Sequence, residues 1–212
     1  PYGVWFNGDW DKPRLDDPAI QKGLSDYAGL MQAGPSDILS YNWNEAGNAF
    51  CNGQAAFFAD ASLFGPWFET DDCPISKGNT GYMALPPQDK GGTSYTANWQ
   101  WGIGMGANAQ EKDAGWYFIQ YMTNKASEAV IGTFHGGAGR LSTWENDSYT
   151  STLNPDYVSA TLESMKTVRT SVVPVKDFNK YALEIMDVIL DIHGGASSED
   201  ATAKGNANFK AM

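Results

Sequence analysis

An aspartate and a serine stand where an apolar run stops, in Phe50-Cys51-Asn52-Gly53-Gln54-Ala55-Ala56-Phe57-Phe58-Ala59-Asp60-Ala61-Ser62. The segment reads as a helix end, a glycine turn and a buried strand over 55–59, with Asp60 and Ser62 at the strand end. In an open α/β sheet ligands sit outside the strand ends, so polar side chains placed there are free to bind. Two indoles in Trp99-Gln100-Trp101 precede the small apolar run Gly102-Ile103-Gly104-Met105 and open a second strand. Aromatic faces stack on C–H surfaces, and a carboxylate accepts hydroxyl hydrogens in charge-assisted bonds. That combination suits a neutral polyhydroxyl ligand, a sugar or a polyol.

Other chemistries are less well served. His135 lies in a glycine loop and His193 at a helix end, where a cation suits the dipole. No His, Cys and carboxylate spacing forms a metal site. Gly102-Ile103-Gly104-Met105-Gly106 is no dinucleotide fingerprint, because Ala107 stands at the position of the third glycine. No cofactor is expected. Glycoside hydrolysis needs a pair of carboxylates flanking the scissile bond. The chain has 25 acidic residues, which leaves that alternative open, but only Asp60 sits at a convincing strand end. Binding without catalysis is therefore the favoured expectation, with no catalytic residue assigned. A net charge of −11 argues against nucleic acid, whose phosphates demand a basic face, and against docking on anionic lipid. No apolar run reaches the length of a bilayer span. Pro1-Tyr2-Gly3-Val4-Trp5 lacks the basic and apolar regions of a signal peptide, and the missing Met reads as a processed or trimmed start. Cys51 and Cys73 form either one disulfide or two buried thiols.

The elements that must hold these residues can be read along the chain. Asp16-Asp17-Pro18 starts a helix whose Ile20, Leu24, Tyr27 and Met31 share a face, ended by Gly34-Pro35. A short helix covers 44–50, with Trp43 and Glu45 at its start. Gly81–Leu85 and Trp99–Met105 read as strands, and 65–67 as turns. Helices follow over 111–122, with Ala114, Tyr117, Phe118 and Tyr121 inward, and over 126–134, 155–168, 178–193 and 199–212. The last is Ala-rich, polar and the weakest. Strands mixed with helices mean α/β. Three or four strands are few for so many helices, which points to part of a larger sheet lying outside this chain.

In this order the motifs resemble the second half of the family 1 extracellular solute-binding proteins, the sugar-capturing subunits of ABC importers. The resemblance rests on Trp43-Asn44-Glu45-Ala46, the Phe-x-x-Gly-x-Ala-Ala run from Phe50, Gly81–Pro86, and Trp101 through Met105. It continues through Asp113–Phe118, Gly137-Ala138-Gly139-Arg140 with Ser142, and Val173-Pro174 before the long helix. It implies a helix-rich, periplasmic-binding-protein-like fold of type II, with the later segments of two α/β lobes and the N-terminal part absent. By that likeness 1–100 is mainly C-terminal lobe, 101–150 returns to the N-terminal lobe, and 151–212 closes the C-terminal lobe.

The same likeness implies capture of a sugar or sugar alcohol in an interlobe cleft and delivery to the membrane permease. It also implies a periplasmic or extracellular location, free or lipid-anchored, and in such a compartment a Cys51–Cys73 bridge. Ligand contacts are implied at Asp60 and Ser62, at Trp101 with Trp99 beside it, and at Arg140. Trp43 is a further candidate, and Asp177 and Tyr181 lie where the family places an aromatic contact. Here Trp99-Gln100 replace the family's two glycines before the Trp, and Gly139 stands where a Pro is usual.

Overall fold

A computed structural model describes residues 5–7, 12–135, 137–170 and 175–212. The Val173-Pro174 step and the first four residues lie outside these. The described chain packs into two compact units, 1–41 with 171–212, and 42–170.

In the first unit, α1 (Pro18–Gln32) packs against α9 (Phe178–His193) and α10 (Ser198–Ala211). Asp17 starts α1 by accepting a hydrogen bond from the Ala19 amide at 3.0 Å, and Pro18 needs no donor in the first turn. Phe6, Leu15, Val188, Ala201 and Phe209 make the buried centre. Each fully buried aliphatic side chain there contributes about 1.5–3 kcal/mol. Helix α10, weak by composition, is central to this packing. A Cβ placed on Gly205 would fall 2.6 Å from Val188 Cγ2 and 3.0 Å from Leu15 Cδ1, so its small residues admit close approach. Its buried polar groups are paired. Asn206 Oδ1 accepts from the Leu15 amide at 2.9 Å, and Thr202 Oγ1 accepts from Gln21 Nε2 at 2.9 Å.

The second unit contains α2 (Trp43–Cys51), α3 (Phe64–Phe68), β1 (Ala97–Asn98), α4 (Lys112–Thr123), α5 (Lys125–His135), α6 (Leu141–Trp144), α7 (Asp147–Thr150), α8 (Pro155–Met165) and β2 (Arg169–Thr170). Asn42 and Glu45 form a capping box at the start of α2. Gly53 ends the helix with φ +72°, a left-handed turn that glycine adopts without penalty. Phe50, Phe58, Phe64, Trp67 and Phe68 then pack against a Cys51–Cys73 disulfide, whose Cα atoms are 4.8 Å apart. Strands β1 and β2 pair in parallel, Ala97 with Arg169 and Asn98 with Thr170.

Several expectations are corrected. Residues 55–59, 81–85 and 99–105 are not paired strands; the short strand Ala97–Asn98 lies just before the third of these segments. A strand needs a neighbour for its N–H and C=O groups, and among the described residues neither of the first two segments has one. The supposed strand 55–59 is not buried either: Phe57 is 91 % exposed. Helix α4 forms as the spacing predicts, but Tyr117, Phe118 and Tyr121 lie exposed rather than inward. Helix α8 stops at Met165, and Arg169–Thr170 turn into the strand ladder. The turn-like Gly65-Pro66-Trp67 is instead helix α3. The Tyr157 ring packs on it so closely that a Cβ at Gly65 would fall 2.3 Å from Tyr157 Cδ2.

Candidate ligand-binding site

Asp60 follows the irregular 55–59 stretch and is exposed, as a binding carboxylate must be. Its Oδ1 accepts from Trp43 Nε1 at 2.8 Å and from the Ala61 amide at 2.5 Å. Both of these bonds fall on one oxygen, so Oδ2 can address a hydroxyl. The Trp43 indole is itself held edge-on against Phe64, with ring centroids 4.8 Å apart at 77°. Its position follows from the capped start of α2, where Glu45 Oε2 accepts from the Asn42 amide at 3.0 Å. Glu45 is thus engaged in the helix cap, while Trp43 orients Asp60.

Ser62 lies beside the 137–140 loop: a Cβ on Gly137 would approach its Oγ to 3.7 Å. The Gly137 amide donates to Tyr157 Oη at 3.2 Å. Burial pushes the Tyr157 phenol above its ordinary pKa, opposed by the Gly137 amide and the Ser62 and Thr161 hydroxyls. Helix α8 therefore fastens both the loop and the segment carrying Asp60 and Ser62.

At the other end of the loop, Arg140 Nη2 donates to the Thr123 carbonyl at 2.6 Å, and its Nε lies 3.4 Å from Glu128 Oε2. Glu128 also accepts from the Gly139 amide at 2.9 Å and from Thr143 Oγ1 at 3.0 Å. This network ties the loop to α4 and α5. Much of the Arg140 guanidinium is spent on that task.

Trp99 follows β1 directly, and Trp101 stands two residues further on, past the end of the strand. Their rings meet edge to face, with centroids 6.2 Å apart at 72°. They are 62 % and 81 % exposed. Indoles are usually mostly buried, so two adjacent exposed ones mark a surface meant to be covered. Gln100, between them, lies against Gly139. The Asp60 segment and the Trp101 segment therefore reach opposite ends of one short loop.

Asp177 and Tyr181 belong to the other unit. The Tyr181 ring packs edge-on against Phe6 and Phe209, with centroids 5.3 and 4.9 Å away. Asp177 sits in the left-handed region, φ 58°, with Lys180 Nζ 3.7 Å from its carboxylate. Six of the eight expected contacts thus share residues 42–170, and two do not.

The sequence reading missed Gln100 as a candidate contact, together with Glu128 and Gly139. Their relevance comes from contacts across the chain, which no local pattern carries. Among the described residues, no group of three or more His, Cys, Asp or Glu is arranged to hold a metal ion, and no helix is long and apolar enough to cross a membrane.

Comparison with known proteins places these features in context. The model of the bacterial extracellular solute-binding protein family matches residues 2–129. A mannitol-binding protein from Pseudomonas aeruginosa is 28 % identical over 172 residues, covering 77 % of this chain and 38 % of its own length. Among solved structures, an ABC transporter solute-binding protein from Agrobacterium radiobacter in complex with ribitol superposes with a TM-score of 0.83 at 20 % identity. An ABC substrate-binding protein from Listeria monocytogenes in complex with cycloalternan superposes with a TM-score of 0.74, also at 20 % identity. Each superposition covers 99 % of this chain and 53 % of the other. The chain spans about half the length of the structures it matches, and less of the mannitol-binding relative.

Proposed function

This chain belongs to the bacterial extracellular solute-binding protein family, and from that premise we propose that it is part of the substrate-binding subunit of an ABC transporter for a sugar or sugar alcohol. Two exposed indoles flanking Gln100, which touches Gly139, and an exposed carboxylate two residues before Ser62, which lies beside Gly137, are the observation that carries this reading. The indoles supply apolar cover for a ring or carbon chain, and Asp60 accepts hydroxyl hydrogens. A hydrogen bond to such a charged group contributes about 1.5–3 kcal/mol. The mannitol and ribitol in the names of its relatives support a polyol over a longer saccharide.

Residues 1–100 are read as mainly C-terminal lobe, 101–150 as a returning segment of the N-terminal lobe and 151–212 as closing helices of the C-terminal lobe, the rest of the molecule being contributed by a half not included in this chain. Ligand binding would close the lobes by its differential affinity for the closed state, and the closed form would be presented to the permease. Trp101 and Asp60 are the main contacts, with Trp99, Trp43, Ser62 and Arg140 in support. The protein acts outside the cytoplasmic membrane, free or lipid-anchored, and binds without catalysing a reaction.

Calorimetric titration with ribitol, mannitol and a cyclic oligosaccharide tests the reading. One polyol should bind, and Trp101→Ala should weaken it by one to a few kcal/mol. Unchanged affinity in that variant would move Trp101 out of the site. Release of reducing ends from labelled oligosaccharide at catalytic rates would replace the importer reading with that of a glycoside hydrolase.

A further inference from the structure

Gly139 has an ordinary backbone φ, so no left-handed turn demands glycine there. Space does. A Cβ at 139 would fall 2.2 Å from Gln100 Nε2, 3.1 Å from Gln100 Cδ and 3.2 Å from Glu128 Oε1. Glu128 is fastened by the Gly139 amide, Thr143 Oγ1 and Arg140, so it gives way poorly. The Gln100 amide is the flexible neighbour, and any side chain at 139 would displace it. That amide lies on exposed chain between the two exposed indoles. It offers two donors and an acceptor, whereas the ionised Asp60 carboxylate only accepts. A hydroxyl-rich ligand presents both roles, so an amide able to donate and to accept adds to what the indole N–H groups and the carboxylate supply.

We infer that Gln100 is a specificity-determining residue of this site, seated by the notch that Gly139 leaves open. The inference rests on the polyhydroxyl reading above. Gly139 is its positioning residue: it sets where the Gln100 amide lies and touches no ligand itself. Because the amide can donate and accept, it discriminates between ligands that differ in the placement of one hydroxyl. Sites built to hydrogen-bond a hydroxyl reject analogues that misplace it.

The test is calorimetric titration of the chain with ribitol and with mannitol, for the wild type, Gln100→Ala, Gly139→Ala and the double variant. Each single change should weaken the better-bound polyol by about tenfold, the loss of one hydrogen bond of ordinary strength, and should alter the ratio of affinities for the two polyols. The double variant should bind no worse than Gln100→Ala alone, since both changes remove the same amide from the site. A readout without ligand accompanies this: Gly139→Ala should lower Tm less in the Gln100→Ala background than in the wild type. Single variants that bind both polyols within twofold of the wild type, or losses that add in the double variant, overturn the role of Gln100 and leave the polyhydroxyl reading standing. A wild type that binds neither polyol overturns both.

Discussion

The two units form helices equally well but treat their apolar stripes differently. In 1–41 with 171–212, Tyr181, Ile185 and Ile192 of α9 pack against the Leu15 and Phe209 core. In 42–170, α4 carries as regular a stripe, and its Tyr117, Phe118 and Tyr121 stand exposed. Periodicity therefore reports that a helix has an apolar face; it does not report where the partner of that face is encoded. An aromatic face of this size normally covers a sheet or another helix. The chain spans about half of the chains it superposes on. The first unit carries its own partners, while α4 touches α5 and Met105 yet keeps its Tyr117, Phe118 and Tyr121 face open among the described residues of the second.

That contrast can be tested by perturbing one unit at a time. Leu15→Ala, at a fully buried site, should cost about 4 kcal/mol and expose the amides of α1, α9 and α10 to hydrogen exchange. Protection in 42–170 should persist, and simultaneous loss in both units would show that the two cores are not independent. The converse change is Cys51→Ala with Cys73→Ala, which reopens a loop between residues 22 positions apart. It should cost about 3 kcal/mol, with the loss of protection confined to 42–170.

Alkaline pH should separate the units as well. Burial pushes the phenols of Tyr82, Tyr149 and Tyr157 above their ordinary value, Tyr149 to about 12. A raised phenol pKa favours the protonated folded state, so this stability is intact below pH 10 and is lost as pH rises from 10 towards 12. All three lie in 42–170, whereas the raised groups of the first unit, Tyr41 (burial and Asp37) and Lys204 (the Asp191 hydrogen bond), are less enclosed. Fluorescence of 42–170 should therefore report unfolding above pH 10 before the other unit responds. Acid does not discriminate in this way. Asp17, beside Arg14, and Asp71, beside Lys77, are both held below the usual carboxylate value, one in each unit. Each contributes stability above its ordinary pKa, lost as pH falls through the lowered one. The smallest effect is expected from Asp177→Gly, which relieves a left-handed residue and should add about 1 kcal/mol, read as a modest rise in the Tm of the first unit alone.

What could be read from the sequence divides along the same physical line. Helix starts were legible because a cap is a local event: Asp17-Pro18 and Asn154-Pro155 carry their own signals. The span 178–193 was read to the residue because its spacing and its Gly194-Gly195 stop are also local. Strands were not, because pairing is settled by a distant partner, and Ala97 meets Arg169 across most of the second unit. Helix α3 was hidden behind Gly65-Pro66, whose glycine serves the Tyr157 ring rather than a turn. In the site, Asp60, Trp99 and Trp101 announced themselves by residue type. The contact of Gln100 with Gly139 did not, since neither residue is unusual without the other.

The first unit is assembled from two stretches of chain with the whole of the second inserted between them. Leu15 and Asn206, joined by a hydrogen bond, are 191 positions apart. At a synthesis rate of roughly 5–20 residues per second, the residues around α1 leave the ribosome some ten to forty seconds before their partners exist. Until then Leu15 and the apolar side of α1 have nothing native to close upon. An order of this kind keeps the first unit open until its final helix is made, while the second, contiguous in the chain, can close before it.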